Sequence, residues 1–130
     1  MTRTNYASGA TWEDKVGYCR AVQVGNTIEV SGTVAEDEGK VVAPGNPYEQ
    51  TKFILAKIEA VLVRAGATLH DVVRTRMFVT DISQWEEYGR AHGEFFQAIK
   101  PATTMVEVSK LINPEYLVEI EVTAIKHERQ

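Results

Sequence analysis

Three carboxylates stand in the last two apolar segments of the chain. They are Glu107 in "KPATTMVEVSK" and Glu119 and Glu121 in "LVEIEVTAI". A carboxylate beside Val and Ile is a candidate acid or base, because loss of hydration raises its pKa towards neutrality. Both segments alternate as strands do. Val118, Ile120 and Val122 share one face, and Glu119, Glu121 and Thr123 the other. In the first segment Val106 and Val108 oppose Thr103, Met105 and Glu107. A polar sheet face either meets water or meets another subunit and lines a cleft there.

Other reactive residue types are sparse. One cysteine, Cys19, excludes an internal disulfide and a Cys-rich zinc site. In a strand-like run it reads as a small core residue rather than a nucleophile. His70, His92 and His127 lack metal-ligand spacing, so no metal is expected. The net charge of −4 disfavours nucleic acid and anionic membranes as main partners. No apolar run is long enough to cross a bilayer and no signal peptide is visible, so a cytoplasmic protein is expected.

The elements that must hold these residues follow from pattern. The 130 residues suffice for one domain, 1–130, with one core, and the polar segment 1–16 is expected to be irregular. "GYCRAVQVGNTIEVSGTVAED" predicts a hairpin that turns at Gly25-Asn26, with Gly32 where the backbone bends or lies close to something else. Gly39–Gly45 predicts a loop with a short edge strand. A helix starts at Asn46, with Pro47 at its first position, Glu49 three after the cap and Gly66 as its stop. Its apolar stripe is Thr51, Ile54, Leu55, Ile58, Val61, Leu62 and Ala65. Residues 71–81 predict a strand with Val73, Thr75, Met77 and Val79 on one face and Val72, Arg74, Arg76, Phe78 and Thr80 on the other. A Ser83/Glu86 capping box opens a second helix whose buried side is marked by Trp85, Tyr88, His92, Phe95 and Ile99, and Pro101 ends it. The order is β-β-(β)-α-β-α-β-β. Two helices cover one sheet face, which leaves the other for solvent or self-association. Met105, Leu117 and Ile125 beside the glutamates favour self-association.

"VGNTIEVSGTVA", "QTKFILAKIEAVLVRAGATLHDVVRTRMFVTDI", "PATTMVEVSKL" and "VEIEVTAI" resemble the Rid family, the reactive intermediate deaminases also called the YjgF family. The match runs from about Tyr18 to Ile125. The resemblance implies a chorismate-mutase-like α+β fold, a mixed sheet with two helices on one face. It also implies a homotrimer with sheets facing inward in a barrel-like arrangement and small-molecule ligands in inter-subunit clefts. Family members hydrolyse imines and enamines to keto acids and ammonia without a metal or cofactor.

Carried over residue by residue, the family's water-orienting glutamate matches Glu119, its cleft tyrosine Tyr18, and its Ser-Gly pair Ser31 and Gly32. The arginine that clamps a substrate carboxylate matches Thr103, which offers a hydrogen bond but no charge and no fork. The family cysteine on the same strand matches Met105, and a helix asparagine falls at Gly89. Trp12, Glu13 and His92 are further cleft candidates of a branch without the arginine, and Arg20, Arg74 or Arg76 could supply a cation. Two functions follow: hydrolysis of small reactive imines or enamines, or a non-catalytic trimer that binds a metabolite or protein. A third, ribonuclease, comes from the older family label "endoribonuclease L-PSP". The acidic balance and the lack of a basic-aromatic stripe oppose it.

Overall fold

The computed structural model describes residues 1–127. In chain order the elements are β1 (Arg3–Tyr6), α1 (Thr11–Val16), β2 (Ala21–Val24), β3 (Thr27–Val34), β4 (Glu36–Asp37), β5 (Lys40–Val41), α2 (Pro47–Arg64), β6 (Val72–Val79), α3 (Trp85–Phe96), β7 (Ala102–Glu107) and β8 (Val118–Ile125). Six strands form one sheet in the order β1-β2-β3-β8-β6-β7, while β4 and β5 make a separate small hairpin. Among the described residues only β6 and β7 run parallel, joined by the α3 crossover. The chain is thus α+β, a mixed sheet with its long helices on one face.

That face is chosen by alternation. Ile28 and Val30 of β3, Met77 and Val79 of β6, and Val118, Ile120, Val122 and Ala124 of β8 are buried. They meet Ile54, Leu55, Ile58 and Leu62 of α2 and Tyr88 and Phe96 of α3 in one core. Helix α2 begins as its sequence requires: Asn46 Oδ1 accepts from the Glu49 amide at 3.0 Å and Pro47 holds the first position. Such a cap contributes about 1 kcal/mol.

One polar side chain inside this core launches β8. Gln50 is fully buried on α2. Its amide donates to the Glu115 carbonyl at 3.0 Å and its oxygen accepts from the Leu117 amide at 2.9 Å. It thereby closes the turn one residue before the strand that carries Glu119. Gln50→Leu keeps the volume and removes both bonds. The expected cost is about 1–3 kcal/mol, because two part-buried backbone groups lose their partners. A urea titration checks it: a midpoint unchanged from wild type would show that the turn holds without Gln50.

The structure departs from the sequence expectations at several points. The N-terminal segment is not irregular: β1 pairs with β2 from Arg3↔Val24 to Tyr6↔Ala21, and α1 follows. In β6 an extra residue between Val72 and Arg74 inverts the alternation, so Val72 is buried and Val73 is 42% exposed. The Ser83/Glu86 box does not form. Instead the Asp81 carboxylate accepts from the Ser83 amide at 3.0 Å and caps a short 3-10 turn that leads into α3. Trp85, at the junction of that turn and α3, is consequently exposed rather than buried. Met105 and Leu117 do not flank the glutamates on an open face. Met105 lies across from Met77 and packs on the core, as does Leu117, while Ile125 is exposed.

Candidate functional site

The sheet face away from α2 and α3 is built by register. Glu119 pairs with Val34 on one side and Phe78 on the other, and Phe78 pairs in turn with Val106. Glu121 faces Arg76 across β6, with Nη1 to Oε1 at 3.6 Å. Opposite Glu121, β3 carries one residue too many. Its pairing passes from Val30↔Val122 to Thr33↔Ile120, so Ser31 and Gly32 form a bulge. The Thr33 hydroxyl donates to the Ser31 carbonyl at 2.8 Å, and the Ser31 hydroxyl donates to the Cys19 carbonyl at 2.7 Å. These bonds fix the bulge against the start of β2.

The bulge is where Glu119 comes to rest. A Cβ placed on Gly32 would lie 2.1 Å from Glu119 Oε2. The absent side chain is therefore the space that the carboxylate occupies, the close approach for which a strand glycine is a marker. Arg20 ties down the same backbone, its Nη2 donating to the Gly32 carbonyl at 2.8 Å. Its buried Nε has no hydrogen-bond partner among the described residues. Burial pushes the Glu119 carboxyl above its ordinary range; the Arg20 charge opposes that shift and Glu121 adds to it. A half-buried carboxylate with a raised pKa can hold a water molecule and exchange a proton with it.

Two grooves meet at Ser31. One, of about 420 Å³, is lined by Tyr18, Cys19 and Ser31 together with Glu13, Arg3 and Asn5. The other, of about 350 Å³, is lined by Ser31, Glu29, Arg76, Glu121 and Thr123. Tyr18 is 41% exposed and its ring lies 6.0 Å from the Arg20 guanidinium carbon. Glu13 reaches the first groove but is only 4% exposed, because its carboxylate accepts from the Ser8 amide at 3.0 Å and from the Ser8 hydroxyl. Its oxygens serve the N-terminal turn. Trp12 is 64% exposed under the Lys15 ammonium and lines neither groove.

The remaining candidates lie across the sheet. Thr103 pairs with Thr75 and Met105 with Met77, residues whose side chains point to the helices. His92 is there too: its Nε2 lies 2.9 Å from Thr75 Oγ1. Burial lowers the His92 pKa and favours the neutral ring. Within one chain, then, Tyr18, Ser31, Gly32 and Glu119 form one group, and His92, Thr103 and Met105 another on the opposite face. Sequence reasoning missed Thr75, fully buried between them. Its signal was a hydroxyl at a core position of an otherwise apolar strand face. Among the described residues no cluster of three or more His, Cys, Asp or Glu could hold a metal ion, and no helix is long and apolar enough to cross a membrane.

Comparison with known proteins places this geometry. The family described as "Endoribonuclease L-PSP" matches residues 10–126. A Mycobacterium tuberculosis crystal structure, of a member of the YjgF/YER057c/UK114 family, superposes with a TM-score of 0.87 at 46% identity, covering 96% of this chain and 100% of that one. A Rid-family protein of Yersinia pestis superposes at 0.83 with 29% identity, covering 96% and 100%. In sequence, a RutC family protein of Pyrococcus abyssi is 37% identical over 110 residues, 84% of this chain and 86% of its own. With nearly the whole chain matched and the fold shared, the protein belongs to the Rid family, also known by the names YjgF and endoribonuclease L-PSP.

Proposed function

We propose that the protein hydrolyses small reactive imines or enamines in clefts completed by a second copy of itself, with Glu119 holding the attacking water. The observation that carries this reading is the Glu119 carboxylate: half-buried, raised in pKa by burial, and seated over Gly32 on the face away from α2 and α3. Glu119 itself lines neither groove within one chain; Tyr18 and Ser31, which line the groove that reaches the bulge, orient the substrate. The carboxylate takes one proton from water as the oxygen adds to the imine carbon and passes it to the imine nitrogen; it then relays the hydroxyl proton of the resulting carbinolamine to the same nitrogen as the C–N bond breaks, leaving the carbonyl and ammonia.

The division of the candidates between two faces supports a shared cleft. Thr103 cannot join Glu119 within one chain, but a cyclic neighbour can bring its β7 edge to the first chain's bulge. Light scattering is expected to give three times the 14.5 kDa chain mass. A monomer at micromolar concentration would leave the proposed cleft without its second half.

Thr103 also motivates a second reading. At the position where the family resemblance places an arginine, this chain offers a hydroxyl bonded to Thr75 and Pro101. A trimer that binds a metabolite without turning it over fits that loss of charge. Imines generated in situ, with ammonia release followed, separate the two. Release above the protein-free rate supports hydrolysis, and thermal stabilisation by ligand without release supports binding alone.

A further inference from the structure

Three side chains from three elements are joined end to end on the helix side of the sheet. His92 Nε2 on α3 lies 2.9 Å from Thr75 Oγ1 on β6, and Thr75 Oγ1 lies 2.8 Å from Thr103 Oγ1 on β7. Thr75 is fully buried, His92 is half-buried, and Thr103 is exposed on the edge strand. The His92 ring is fixed by Phe96, their centroids 4.7 Å apart. The line therefore runs from the interior to the rim.

Each hydroxyl has one proton to give, so the order of donors along the line is coupled. If Thr75 donates to the imidazole, Thr103 donates to Thr75 and turns its lone pairs outward. If the imidazole donates, Thr75 donates to Thr103. The Thr103 proton is then free for the Pro101 carbonyl at 3.2 Å or for a ligand. His92 thereby governs what Thr103 presents.

Among the described residues, no arginine or lysine is hydrogen-bonded to Thr103. Arg74 and Arg76 pair with Ala102 and Thr104, on the opposite face from Thr103. The first donates to the Thr104 hydroxyl and the second meets Glu121. Lys100 donates to the Gln97 carbonyl at 2.9 Å. Burial keeps the imidazole in its neutral form. A carboxylate placed at Thr103 would exchange its hydration for one neutral hydroxyl, an unfavourable trade.

We infer that Thr103 recognises an uncharged hydrogen-bonding group of the ligand, an amide or ketone carbonyl or a hydroxyl, with Thr75 and His92 as positioning residues that fix the sense of that bond. The inference deepens the shared-cleft reading and rests on it. Two small probes of equal shape and different charge test it, pyruvamide and pyruvate, titrated into the assembled protein by calorimetry. Neither requires turnover. Pyruvamide is expected to bind at least about tenfold tighter. Thr103→Val and Thr75→Val should each bring the ratio close to one, whereas Thr75→Ser and His92→Gln, which keep a hydrogen-bonding group, should preserve it. A purely structural Thr75 would lower the melting temperature of Thr75→Val and leave the ratio as in wild type. That result, equal or tighter binding of pyruvate, or no binding of pyruvamide in the millimolar range, overturns the inference. Ammonia release that still depends on Glu119 would show that the hydrolase reading survives such a failure. Loss of that dependence with the ratio intact would show the reverse.

Discussion

Glu119→Gln is expected to lower imine hydrolysis by about 10²–10³-fold, the range for losing a positioned acid-base group. The same change is expected to make the protein more heat-stable at neutral pH. Both effects have one origin. Burial disfavours the charged carboxylate, so its folded pKa stands above its unfolded one. Between the two values the folded state binds more protons than the unfolded state, and stability falls as pH rises. Above the folded value the full cost is present. Glutamine fills the same space over Gly32 without a charge and removes that cost. The melting temperature should therefore rise by about 2–4 °C at pH 8. The gain should shrink as pH falls towards the ordinary carboxylate range, about 4.3. Paired assays of ammonia release and thermal unfolding at two pH values check it. Equal rates for the two proteins would remove Glu119 from the mechanism. Equal melting curves at pH 8 would mean that the carboxylate is better solvated than its seat implies.

The sequence was most legible where one face of an element is dictated by its own spacing. The α2 stripe, its Asn46-Pro47 start and the alternation of β8 all reappear in the structure, and with β8 the side on which Glu119 projects. What was illegible shares a cause: it depends on relations between elements. A single extra residue at Ser31–Gly32 inverts the faces that follow it, one at Val73 inverts the start of β6, and alternation carries no mark of either. Met105 alternates correctly within β7, yet which side of the sheet that is depends on the parallel register with β6. Strand β1 is polar and mostly exposed, so it pairs through its backbone and leaves no hydrophobic pattern to read. Thr75 and Gln50 look like misplaced polar residues until their partners, a histidine on α3 and the turn before β8, are brought in by the fold. The acid of the candidate site was therefore readable from one strand, while the division of the site between two faces was not.

Gly32→Ala is expected to reduce imine hydrolysis about 100-fold or more while leaving the chain folded. The glycine is not required by backbone conformation, because Gly32 is absent from the positions of positive φ. What it provides is space. An added methyl would stand 2.1 Å from Glu119 Oε2, 3.0 Å from Cδ and 3.3 Å from Cγ. The backbone of the bulge is tied down by Thr33, Ser31 and Arg20, whereas the Glu119 side chain can swing. The carboxylate therefore moves and the strand does not. Displacing a reacting group by about 1 Å is enough for a 10²-fold loss. The stability change should stay within about 1 kcal/mol, because the far end of a flexible side chain yields at little cost and alanine loses less backbone entropy than glycine on folding. Gly93→Ala is the control. Its Cβ would meet nothing within 4 Å on α3, and it should stabilise by about 0.5–1 kcal/mol with activity unchanged. Full activity in Gly32→Ala would mean that the carboxylate works from a different position. Unfolding of that variant would mean that the bulge cannot take a Cβ even when the Glu119 side chain swings away.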